Sequence, residues 1–311
     1  MSLAFVFPGQ GSQRVGMLAE LSAEDAEVEA IFAIASEVLG YDLWALAQRG
    51  PAESLALTEI TQPLMLAAGF ATWRMWQKRY AAVPSWVAGH SLGEFTALVV
   101  AGVLNFSDAV DLVRVRGELM RDAVPTGIGG MAAVIGLSDE EMLETCLDAN
   151  QGEVVEAVNF NAPGQVVIAG HIGALKRAME LAKTRGAKRA LALPISVPCH
   201  SSLMRPAADA LRARLLESRF NPPQIRFMSS VDSLEYVDPD AIRDLLYRQL
   251  ASPVHWVATI RSLVVVGSTQ FVECGPGKVL TALNRRIERN PNLSFIALED
   301  VEAFALVGEK L

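Results

Sequence analysis

Cysteine is scarce in this chain: Cys146, Cys199 and Cys274 are the only three, and none forms a CxxC pair. So odd and sparse a set excludes a disulfide scaffold and suits a reducing compartment. A structural zinc site needs clustered Cys and His ligands. Cys199-His200 is the only close pair, so no metal is expected. Long apolar runs are missing too. No segment reaches about 18 uninterrupted apolar residues, the length that spans a membrane. The N-terminal stretch MSLAFVFPGQGSQ carries no basic region, and its apolar run is too short for a secretory signal, so a cytoplasmic location is expected. Basic charge is in deficit: 27 Lys and Arg stand against 35 Asp and Glu, a formal net charge of −8. That balance argues against broad binding to nucleic acid or a membrane surface. No internal repeat and no low-complexity segment is visible.

What is present is a folded globular composition, with 51% apolar and 20% charged residues in 311. The length suits one large domain or a large domain with a smaller one attached. Leu3 to Phe7 reads as a buried strand stopped by Pro8-Gly9, and Pro63 to Tyr80 as a long apolar helix. Trp86 to Ala88 reads as a second strand, followed by a buried helix over Glu94 to Gly102. Ser107 is expected to cap the next helix. Thr126 to Gly130 looks like a linker. Beyond it the pattern runs strand (Met131 to Ile135), helix from Ser138, strand (Val154 to Asn159), strand (Gln165 to Ala169), helix (Ile172 to Arg185), strand (Ala187 to Leu193). That βαββαβ order is ferredoxin-like. A small domain is therefore expected at 127–197, inserted in an α/β core of mostly parallel strands made from 1–126 and 198–311.

Three features carry chemistry. Gly89-His90-Ser91-Leu92-Gly93 fits G-x-S-x-G between a strand and a helix, the setting of a nucleophile elbow. The sharp turn lifts the Ser91 hydroxyl clear of the sheet, and the helix N-terminus favours an oxyanion. In Asp108 to Ala123, helical spacing aligns Leu112, Val113, Leu119, Met120 and Ala123 in one apolar stripe, and Arg116 falls within it. Asp111, Arg114, Glu118 and Arg121 form the solvated opposite face. A buried guanidinium must meet an anion, either an internal carboxylate or the carboxylate of a substrate. Ser91 also needs a base. Of the four histidines, His90 should point away from Ser91 at an elbow. His171 follows a small-domain strand, and His255 stands at a helix start. His200, in Val197-Pro198-Cys199-His200-Ser201, lies on a loop where the chain re-enters the core. His200 is the preferred base, but these residues alone leave the choice open, and no Asp or Glu is marked as its orienting partner.

Several blocks together resemble the malonyl-CoA:acyl carrier protein transacylase family of fatty acid synthesis. They are Phe7-Pro8-Gly9-Gln10-Gly11-Ser12-Gln13, Thr61-Gln62-Pro63, Gly89 to Glu94, Arg116-Gly117 with Leu119-Met120, Gly130 to Ala133, Asn159-Phe160-Asn161 with Pro163-Gly164-Gln165, Val197-Pro198 with His200-Ser201, and Val272-Glu273 with Gly275-Pro276-Gly277. They run in family order from end to end. The resemblance implies Ser91 as nucleophile, His200 as base and Arg116 as the grip on the malonyl carboxylate. It implies the Gln10 and Leu92 amides as oxyanion hole, Gln62 at the substrate site, and the Gln249 main-chain carbonyl as the group that orients the histidine. Cys199 stands where relatives often carry a smaller hydroxyl residue.

The resemblance also implies a hydrolase-like α/β core with a ferredoxin-like insert, and a transferase working by ping-pong chemistry through a malonyl-serine. No cofactor is implied: the coenzyme A thioester is substrate, and phosphopantetheine arrives on the holo acyl carrier protein, a transient partner. Arg185, Lys188 and Arg189, or Arg285 and Arg286, are candidate docking residues for that acidic carrier. The alternatives are a serine esterase or thioesterase, a stand-alone acyltransferase feeding a polyketide synthase, and a non-catalytic binder of malonyl-CoA.

Overall fold

The computed structural model describes residues 2–308. Its larger sheet joins β1 (Ser2–Phe7), β2 (Trp86–Gly89), β7 (Arg226–Met228), β8 (Glu235–Tyr236), β9 (Ser268–Glu273) and β10 (Ser294–Ala297) in the order β10-β9-β1-β2-β7-β8. All neighbours run parallel except the β7–β8 pair. The central strand β1 is buried from Leu3 to Phe7, as expected for a parallel strand covered on both faces. Helices supply the cover. Trp73 and Trp76 of the long helix Thr58–Arg79 pack edge-on against Phe5 of β1, at 5.4 and 4.9 Å between ring centroids.

The second sheet is antiparallel throughout. It contains β3 (Gly129–Ile135), β4 (Val155–Ala162), β5 (Gln165–His171) and β6 (Arg189–Ala192) in the order β4-β5-β3-β6, the ferredoxin-like arrangement. Helices Asp139–Asn150 and Ile172–Thr184 connect its strands, and a capping box between Ser138 and Glu141 opens the first of them. The fold is thus an α/β core with a mostly parallel sheet plus a separate antiparallel subdomain. A hydrogen bond from Phe160 N–H to the Val254 carbonyl (2.9 Å) ties β4 to the core segment.

Three local expectations need correction. The long helix begins at Thr58, five residues before Pro63. The proline ring forfeits one backbone bond inside the helix, yet the segment stays helical because Gln62, Pro63 and Leu64 are all buried against neighbours. The helix Phe106–Ala123 is capped by Asn105, whose side chain accepts from the Ser107 N–H, so Ser107 is the capped residue and not the cap. Gly129 and Gly130 belong to β3 and are buried, whereas the linker reading stopped at Gly130. Among the described residues, no single helix is long and apolar enough to cross a membrane.

Candidate active site

Between β2 and the helix Gly93–Val100 the chain turns so sharply that only glycine fits on either side of Ser91. A Cβ on Gly89 would lie 1.9 Å from the Gly93 carbonyl carbon, and one on Gly93 would lie 2.0 Å from the Phe7 carbonyl oxygen. Ser91 itself sits at φ +52°, in the left-handed region that a side chain disfavours. The loop after β1 runs against this elbow, with a Cβ on Gly9 placed only 2.6 Å from the His90 carbonyl oxygen. That approach brings Gln10 beside Leu92, the residue at the head of the elbow helix, and both line the same cavity. His90 turns away from Ser91, its Nε2 lying 2.7 Å from Asn161 Oδ1 on β4.

His200 reaches the elbow from a distant loop, also at positive φ (+65°). Its Nε2 is 2.6 Å from Ser91 Oγ. Its Nδ1 faces two main-chain carbonyls, Gln249 at 3.0 Å and Ser252 at 3.1 Å. Carbonyl oxygens only accept, so Nδ1 carries the proton and Nε2 is left to accept from the serine hydroxyl. Burial, reinforced by the nearby positive charge of Arg116, pulls the His200 pKa down to about 3. The imidazole is therefore neutral at physiological pH, with Nε2 unprotonated and free to accept the serine proton.

Arg116 is 1% exposed. The helix that carries it packs so tightly on the long helix that a Cβ on Gly117 would lie 2.6 Å from Glu59 Cα. The guanidinium donates to Gln62 Oε1 (2.8 Å) and Gln249 Oε1 (3.0 Å) and lies 5.4 Å from the centre of the Phe95 ring. Its Nε–H has no partner. Burial lowers its pKa to about 10, which leaves it protonated at neutral pH. Among the described residues, no carboxylate pairs with it directly. Of the two anions that sequence reasoning allowed, the internal one is absent as a direct partner, and the cation faces neutral amides in a site lined by Ser91 and His200. The Arg114 ion pairs with Asp111 (2.6 Å) and Glu118 (2.8 Å) are those of a solvated face.

Ser91, His200, Arg116, Gln10, Gln62 and Leu92 line a cavity of about 150 Å³. A wider cleft of about 660 Å³ adjoins it through the shared walls Met131, Leu193 and Ile195 and runs between the antiparallel subdomain and the core, past Leu57, Arg121 and Lys176. No group of three or more His, Cys, Asp or Glu among the described residues is placed to hold a metal ion. Of the basic candidates for docking, Arg185 is already tied to Asp148 and Thr145, and Arg285 to the Phe295 carbonyl.

Residues 4–310 match the model of the acyl transferase domain. The malonyl CoA-acyl carrier protein transacylase of Escherichia coli (strain K12) is 52% identical over 306 residues, 98% of each chain. The chain belongs to the malonyl-CoA:acyl carrier protein transacylase family. A crystal structure of an acyl carrier protein S-malonyltransferase from Vibrio cholerae matches this transacylase fold with a TM-score of 0.95 at 53% identity, covering 99% of this chain and all of that one. A second solved structure, a malonyl-transacylase in complex with a type II polyketide synthase acyl carrier protein, matches with a TM-score of 0.98 at 48% identity over the full length of both.

Two features of the transacylase site escaped sequence reasoning. The Gln249 side chain, and not only its carbonyl, enters the site. Glu94, which closes the Gly89 to Glu94 block and carries no role there, lies behind it. The one available signal for Glu94 was a charged residue inside an otherwise apolar helix.

Proposed function

We propose that this chain transfers the malonyl group of malonyl-CoA to the phosphopantetheine thiol of an acyl carrier protein, with Ser91, His200 and Arg116 in the central roles. His200 Nε2 takes the proton of the Ser91 hydroxyl as Oγ attacks the thioester carbon. The oxyanion that forms is held by the Gln10 and Leu92 amides, and one such donor is typically worth about 3 kcal/mol of transition-state stabilisation. The C–S bond then breaks, and coenzyme A leaves with the proton from His200. Malonyl remains as an ester on Ser91, its carboxylate on Arg116. The carrier thiol enters, gives its proton to His200, attacks the ester and restores Ser91. The Gln249 and Ser252 carbonyls hold the imidazole throughout, so no acidic third residue is needed.

The observation that most favours this reading is the buried guanidinium, paired only with amide oxygens, in the cavity that Ser91 and His200 line. A serine esterase has no use for it. The adjoining cleft is wide enough for a phosphopantetheine arm, and we take residues 127–197 as the small domain that walls it. Location in the cytoplasm fits this reading, and the three buried thiols are in the state a reducing compartment maintains. The test is product analysis with malonyl-CoA and holo acyl carrier protein. Malonyl-carrier should dominate, and initial rates at several carrier concentrations should give the parallel reciprocal plots of ping-pong kinetics. Free malonate as the main product would show a thioesterase instead.

A further inference from the structure

Glu94 takes no part in the chemistry above, yet it is fully buried three residues from the nucleophile. It is the carboxylate whose charge bears on Arg116, and it does not touch it. One oxygen, Oε1, accepts from the Ser230 N–H at 2.5 Å. The other, Oε2, accepts from the side-chain amide of Gln249. The same Gln249 Nε2 also donates to the Ser91 carbonyl at 3.0 Å, while Gln249 Oε1 accepts from Arg116 at 3.0 Å.

This arrangement leaves the Gln249 amide one orientation. Arg116 can only donate, so the amide must turn its oxygen toward it. Glu94 and the Ser91 carbonyl can only accept, so the NH₂ must face them. Both oxygens of Glu94 receive N–H groups, the pattern of an ionised carboxylate. Burial raises its pKa to about 7, against the pull of those donors. A neutral residue here would lose the preference that aims the amide.

We propose that Glu94 is a positioning residue for malonyl selectivity: through the Gln249 amide it aims the Arg116 guanidinium and relays a negative charge to it while the site is empty. The role rests on the functional reading above and deepens it. The buried cation is balanced at one remove, so no direct counter-ion has to be displaced when the substrate carboxylate arrives. Among the described residues no acid salt-bridges Arg116, and one that did would compete with malonyl for the same donors.

The test compares Ser91 acylation by malonyl-CoA and by acetyl-CoA at pH 8, above the Glu94 pKa, in wild type, Glu94→Gln and Gln249→Met. Glu94→Gln keeps the volume but sets NH₂ against NH₂. Gln249 must then flip and present a donor to Arg116. The expected result is a rise in KM for malonyl-CoA and a fall of about tenfold or more in the malonyl-to-acetyl ratio of kcat/KM, the scale of one charge-assisted hydrogen bond. Acetyl transfer makes no use of the guanidinium and loses only the Gln249 contact with the Ser91 carbonyl, so it should fall far less than malonyl transfer. Gln249→Met keeps the carbonyl that holds His200 and should lower the ratio alike. The double variant should add little, because the Gln249 amide is the hydrogen-bonded link between Glu94 and Arg116. A merely structural Glu94 would depress both substrates together, and that outcome, or an unchanged ratio, overturns the role. If Glu94→Gln does not fold, Gln249→Met decides by the same ratio. A wild type with no malonyl preference would overturn the functional reading and this role with it; a selective wild type with an unaltered ratio in the variants overturns this role alone.

Discussion

Replacing Arg116 by alanine probes the account where its magnitude can be worked out. In the malonyl-bound site the guanidinium and the substrate carboxylate would form an ion pair shielded from water. Removing one partner of a buried pair costs about 3–5 kcal/mol. At 1.36 kcal/mol per factor of ten, malonyl kcat/KM should fall about 10²- to 10⁴-fold. Acetyl-CoA brings no carboxylate, so its kcat/KM should change by only a few-fold, and the malonyl-to-acetyl ratio should collapse by nearly the whole of the malonyl loss. Stability moves separately. Arg116→Ala leaves Gln62 Oε1 and Gln249 Oε1 without their donor, at about 1–3 kcal/mol each, and it also removes a buried charge, so the melting temperature must be measured alongside. The assay is rapid-quench acylation of Ser91 by each thioester, read as the intact protein mass. Parallel loss of both substrates, or unchanged malonyl preference, would refute the argument that Arg116 reads the carboxylate.

Two further outcomes follow from the site. In an NMR titration the His200 ring should remain neutral, with the proton on Nδ1, from pH 8 down to about pH 5. Burial and Arg116 disfavour the imidazolium and hold its pKa near 3. The stability this neutral ring contributes is present above pH 6.5 and is lost as pH falls toward 3, and a midpoint near 6.5 would contradict the buried, Arg116-facing geometry. Gly93→Ala should lower stability by about 3 kcal/mol or more, seen as lost soluble protein or a sharply reduced melting temperature, because its Cβ would meet the Phe7 carbonyl oxygen at 2.0 Å and that backbone cannot yield. A folded, active Gly93→Ala would show that the elbow is looser than described.

How far the sequence could be read depends on whether the determining contact is local. The elbow was legible because strand, glycines and helix follow one another within a few residues. Arg116 was legible because helical spacing alone puts it on an apolar stripe. The antiparallel subdomain announced itself by its alternation of short strands and helices. His200 is preferred among four histidines on its loop position but not fixed by it, since its partners, Ser91, Gln249 and Ser252, lie 49 to 109 residues away in the chain. The resemblance of whole blocks adds the role that the local pattern leaves open. The early start of the long helix depends on tertiary burial, and the Asn105 cap lies two residues from Ser107, where both side chains are favoured caps and local preference alone is ambiguous. Glu94 was passed over for a related reason. Its meaning comes from a glutamine 155 residues away, and nothing in the elbow motif reveals that encounter.

The most direct test of the central claim is the intact mass of the protein, acid-quenched after brief exposure to malonyl-CoA without carrier, followed by peptide mapping. The account predicts one malonyl group on the peptide containing Ser91, discharged when holo acyl carrier protein is added and absent from Ser91→Ala. An unmodified wild-type protein that still transfers malonyl, or an adduct that persists in Ser91→Ala, would contradict it.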